Sequence, residues 1–111
     1  MKYDVSENVL KDMANKIAAE VIPEKIILFG SRASGKQRPD SDIDLMIIED
    51  RKFSSLGERR SELKKIRKAI WDVMAPVDII LFNLAEVKRL GKTRSHIIAE
   101  ALEKGKVLYE K

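Results

Sequence analysis

Apolar positions along the chain change period several times, and each change marks an element. Val9, Leu10, Met13, Ile17 and Val21 recur at helical spacing over Asp4 to Val21, which predicts an amphipathic helix. Asp4 and Glu7 are placed as its capping box and Pro23 as its stop. Lys25 to Phe29 is a short isoleucine-rich run between that proline and Gly30, so it reads as a buried strand. The polar stretch Ser31 to Ser41 holds Gly35, Pro39 and Asp40 and predicts a loop, with room for one helical turn starting at Ser31. Ile43 to Ile48 is apolar on both faces, the mark of a strand covered on both sides. Glu49 to Ser54 reads as a polar turn.

The second half repeats the alternation. Ser55 and Glu58 have capping-box spacing, and Leu63, Ile66, Ile70, Val73 and Met74 form one stripe behind them. That predicts a long helix running to Pro76, with a basic outer face of Arg59, Arg60, Lys64, Lys65, Arg67 and Lys68. Val77 to Phe82 is a third strand with Asp78 inside it. Asn83 and Glu86 start a short helix ending at Gly91. Thr93 to Lys104 is another, with Ile97, Ile98, Ala101 and Leu102 inward and Gly105 as its stop. Lys106 to Tyr109 is an edge strand or an extended arm. A strand-loop-strand unit followed by a long crossover helix and a third strand predicts an α/β or α+β fold, a small mixed sheet with helices packed on it.

Composition narrows the setting. The 111 residues, 44% hydrophobic, predict a single domain spanning 1–111. A net charge of +4 could attract nucleic acid, but acids and bases are interspersed along the helices, which favours a solvated surface. Without cysteine there is no disulfide or thiolate site. The charged first residues do not read as a signal peptide, and no apolar stretch is long enough to span a membrane, so a cytoplasmic protein is expected.

The candidate chemistry lies between Gly30 and Asp78. Side chains at i and i+2 of a strand share a face, so Asp42 and Asp44 should project together beside Gly30 and Ser31. Burying an unpaired carboxylate costs several kcal/mol, and Asp42, Asp44 and Asp78 therefore call for a cation, a base or water. Oxygen ligands of this kind suit magnesium, which retains waters unless phosphates replace them. Gly30 lets backbone approach a ligand closely, and Ser31 offers hydroxyl and amide donors to a phosphate. The competing reading is an Asx-type turn at Asp40 to Asp42, with Asp44 paired to a lysine.

Gly30-Ser31, ten intervening residues, then Asp42-x-Asp44, with Asp78 on a later strand, resembles the signature of the minimal nucleotidyltransferases of the DNA polymerase β superfold. Phe29 to Ala33 and Ser41 to Leu45 fit as well. The resemblance implies that Gly30 and Ser31, with Arg32 and Ser41, hold the nucleotide. It also implies that Asp42 and Asp44 bind two Mg2+ ions (Mn2+ as a substitute), and that Asp78 completes the metal site and acts on the attacking hydroxyl. Ser34 departs from the pattern, since many relatives carry a basic residue there. By the same resemblance the chain is an antitoxin paired with a HEPN-domain ribonuclease toxin, transferring AMP from ATP to a toxin tyrosine. Its small size argues against the relatives that modify antibiotics or extend RNA, so the acceptor is expected to bind as a separate protein. Two other classes remain: an antitoxin that acts by contact alone, and a small nucleic-acid-binding module.

Other residues draw attention for less. His96, the only histidine, reads as surface or packing. Arg89 and His96 match the spacing of the HEPN ribonuclease motif by chance, because Gly91 interrupts the helix that would carry it. Trp71 lies off the main stripe of the long helix and reads as half-buried packing, the favoured reading, or as an interface anchor, and Tyr109 is equally a packing residue or a partner contact.

Overall fold

The computed structural model describes residues 5–92 and 96–111. In chain order its elements are α1 (Glu7–Glu20), β1 (Pro23–Phe29), α2 (Ser31–Ser34), β2 (Ile43–Glu49), α3 (Leu56–Ala69), β3 (Val77–Asn83), α4 (Leu84–Leu90), α5 (Ile97–Lys104) and β4 (Lys106–Glu110). The four strands form one sheet in the order β3-β2-β1-β4. β1 pairs antiparallel with both β2 and β4, whereas β2 and β3 run parallel through the α3 crossover. This is the mixed sheet with helices expected from the pattern.

Alternation along the strands splits the core into two layers. Ile43, Leu45 and Ile47 of β2 face α1 and α3, joining Leu10, Met13, Ile17, Ile66 and Ile70. Met46 and Ile48 point the other way, toward Ile98 and Ala101 of α5 and the partly buried Leu84 and Val87 of α4. β2 is therefore covered on both faces, and its apolar run has a packing cause.

Several boundaries differ from the sequence reading. The N-cap of α1 is Ser6, whose side chain accepts from Val9 N; the expected cap Asp4 lies outside the described residues, as does Thr93. Only half of the Ser55 box forms: Ser55 Oγ accepts from Glu58 N, while the Glu58 carboxylate turns to Ser54 N and Arg51. Asn83 and Glu86 form the complete box. α3 stops at Ala69, seven residues short of Pro76, and the turn that follows leaves Trp71 81% and Met74 86% exposed. Met74 was expected in the buried stripe, from which the early helix end removes it, and Trp71 is not half-buried as the packing reading had it. Leu102 is also 43% exposed, contrary to the inward placement. Glu49, read as a turn residue, is the last residue of β2 and is buried with Glu62 of α3. Residues 106–110 form the edge strand. No helix among the described residues is long and apolar enough to cross a membrane.

Candidate active site

The sheet brings the sequence-selected residues to one end of its middle strands. Asp44, second in β2, is in register with Asp78 of β3 on one side and with Phe29, the last residue of β1, on the other. By strand alternation Asp44 and Asp78 lie on the α4/α5 face, in line with Met46, Ile48, Ile80 and Phe82. Asp42 is exposed and stands just before β2 rather than in it; its i, i+2 relation to Asp44 keeps the two together.

Electrostatics record that proximity. Burial, then the charges of Asp78 and Asp42, then a hydrogen bond with Asp78, raise the Asp44 carboxyl above its ordinary value. Two carboxylates in hydrogen-bonding reach cannot both be charged cheaply unless a proton or a cation lies between them.

Gly30 makes the approach possible. It adopts a left-handed φ of 75°, and a Cβ there would collide with Asp44 Oδ2. The β1–α2 turn and the acidic strand thus share one volume that only glycine leaves open. Arg32 donates from Nε (3.0 Å) and Nη2 (2.7 Å) to the Ser41 carbonyl, while Ser41 Oγ accepts from Arg38 N. Both residues therefore hold the 31–41 loop closed and fix the entry into Asp42.

Beside the turn lies a cleft of about 320 Å³ whose walls include Gly30, Ser31, Ser34, Lys36, Glu100 and Lys104. Lys36 and Lys104 are the cations of this cleft and suit a polyphosphate. The sequence reading passed over Lys104. Its signal was Gly105, whose missing Cβ lets the end of α5 touch Ile27 and the Leu28 carbonyl, so the last residue of that helix must sit near Gly30. His96 caps α5, its Nδ1 accepting from Ile98 N, which is a structural use of the ring.

The donors suit a hard cation: all are carboxylate oxygens, Asp42 and Asp78 are exposed, and the paired Asp44 and Asp78 need a positive charge or proton between them. They do not form a closed cage, since among the described residues no three acidic, histidine or cysteine side chains are arranged to hold a metal ion. The arrangement is an open acidic edge that leaves coordination positions to water and phosphate.

Known proteins share this framework. The family model "Polymerase beta, Nucleotidyltransferase" matches residues 11–111. No curated relative matches the chain. Among solved structures, a candidate nucleotidyltransferase of Sulfolobus solfataricus superposes with a TM-score of 0.63 at 19% identity, covering 95% of this chain and 80% of that one. A toxin–antitoxin structure with AMP-PNP gives 0.55 at 23% identity, covering 96% and 75%. A mutant of the toxin–antitoxin MntA-HpeT, with two aspartate-to-glutamate substitutions two positions apart, gives 0.56 at 18% identity with the same coverage. At these identities the superpositions establish the fold.

Proposed function

Because the chain belongs to the polymerase beta nucleotidyltransferase family, we propose that it is a magnesium-dependent nucleotidyltransferase that moves AMP from ATP to a hydroxyl of a partner protein and so acts as an antitoxin. The observation that carries this reading is the register of Asp44 with Asp78, with Asp42 two residues before Asp44, beside a turn that Gly30 alone can make. The cleft lined by Ser31, Lys36 and Lys104 would take the triphosphate, the two lysines meeting its charge. Asp42 and Asp44, with Asp78 completing the set, would hold the divalent cations, whose chemistry would be to neutralise charge on the triphosphate. Asp78, exposed at the edge of the sheet, would accept the proton of the attacking hydroxyl as the bond to phosphorus forms and pyrophosphate leaves. Arg32 keeps Ser41, and hence Asp42, in position.

The acceptor is proposed to be a tyrosine of a HEPN-domain ribonuclease. Support comes from the fold shared with two toxin–antitoxin structures, one with AMP-PNP and one altered at two aspartates with the spacing of Asp42 and Asp44. Incubation with a HEPN-domain partner, magnesium and ATP should add AMP masses to the partner, read by intact mass spectrometry. Asp44→Asn should abolish the addition while the two proteins still copurify. A wild type that silences the partner without adding mass would show neutralisation by contact alone.

A further inference from the structure

Trp71 is the single tryptophan of the chain and, with Met74, stands out in the turn between α3 and β3. Neither residue serves the core. Trp71 also borders a groove of about 710 Å³ between α1 and α3, together with Lys16, Lys65 and Lys68. Arg60, Lys64, Arg67 and Lys68 extend the same side of α3 at i, i+3 and i, i+4 spacing and lead to Trp71. Among the described residues none of these four forms an ion pair, in contrast to Arg59, which reaches Glu86, and Lys65, which approaches Glu62. Arg67 donates to the Val77 carbonyl, and Lys16 in the groove is paired with Asp12 and Asp72. The surface is thus an exposed aromatic anchor bordered by Arg60, Lys64 and Lys68 as the cations without an ion pair among the described residues, and an exposed tryptophan of this kind suits protein recognition.

We propose that this face docks an acidic segment of a partner protein, an apolar side chain of which enters the α1/α3 groove against Trp71 while its carboxylates meet Lys64 and Lys68. Charge complementarity selects this occupant. A second copy of the chain would bring like charges together, and the exposed apolar pair Trp71 and Met74 suits an apolar side chain entering the groove, with the partner's carboxylates kept to the Lys64 and Lys68 side, away from Glu20 and Asp72. Position gives the docking a use that rests on the proposed function. The turn ends at Pro76, whose carbonyl accepts from Ile43 N, two residues before Asp78 and beside Asp42. A protein held on Trp71 and Met74 would thus stand on the α1/α3 side of the same sheet end whose other side carries Asp44 and Asp78.

The test uses the full chain and three fluorescein-labelled probes followed by anisotropy: an amphipathic peptide with glutamates around a leucine pair, its lysine counterpart, and an oligouridylate. The glutamate peptide should bind, shift the Trp71 emission to the blue, and weaken at least about tenfold with Trp71→Ala and with Lys64→Glu plus Lys68→Glu. The lysine peptide should not bind. Glutamate-peptide affinity unchanged in both variants, or absent from the wild type, would overturn the proposal. So would tighter binding of the oligouridylate to the same face, or a dimer in sedimentation that Trp71→Ala abolishes. Magnesium-ATP titration of the wild type reads the nucleotide site separately: peptide binding without ATP binding keeps this surface and removes the nucleotidyl transfer, and the converse removes the surface alone.

Discussion

Gly30 is the residue on which the site's geometry turns. Any side chain at this position must both adopt φ of 75° and displace the Asp44 carboxylate. With ψ of -155° beside it, this backbone lies in a region essentially reserved for glycine and costs an L-residue on the order of 1–3 kcal/mol, and the collision adds to it. Gly30→Ala should therefore lower the urea midpoint by an equivalent of about 2 kcal/mol and weaken nucleotide binding together with it. A variant as stable as the wild type with full ATP affinity would show that turn and carboxylate do not share space. Asp44 itself is held at a cost: burial and two acidic neighbours oppose its ionisation, a strain expected where function rather than packing chose the residue.

At the scale of elements, the contact between the end of β2 and α3 carries a second perturbed carboxyl. Glu49 and Glu62 are 2% and 5% exposed, and Glu49 Oε2 has no hydrogen-bond partner. Burial, followed by the hydrogen bond and charge of Glu62, pushes Glu49 up to about 8, against the pull of Arg51 and Lys65. The nearby cavity also brings Glu20, Glu24, Asp50 and Lys111 around the pair. Between the ordinary value of 4.5 and about 8, the folded chain keeps a proton that the unfolded chain has released. This contribution to stability is complete below the lower value and is lost as pH rises through the upper one. Wild-type unfolding free energy should fall by on the order of 2 kcal/mol from about pH 5 to about pH 8. In Glu49→Gln that slope should flatten, as measured by urea unfolding at both pH values. Parallel pH dependence in the two proteins would contradict a shared proton.

Across the whole molecule, the sheet and the placement of the site were legible because each depends on short-range pattern. Doubly apolar β2, the paired breaks at Gly30 and Pro76, and Asp78 inside an apolar run all carry their meaning locally. What stayed hidden depends on distant partners. Glu49 continues the alternation of Ile43, Leu45 and Ile47, but its charge disguised it until α3 supplied Glu62. Lys104 reaches the cleft only because β4 pairs with β1. Met74 follows the helical stripe of α3 in sequence and Trp71 lies beside it, yet the helix ends before both. The central claim is that Asp42, Asp44 and Asp78 make one site for a divalent cation and ATP, and calorimetry addresses it most directly. Wild-type protein should bind ATP with magnesium and not without it, since the carboxylates repel a bare triphosphate. Asp42→Asn plus Asp44→Asn should lose the magnesium-dependent heat almost completely. An affinity for ATP that is unchanged by removing magnesium, or unchanged in the double variant, would contradict the account.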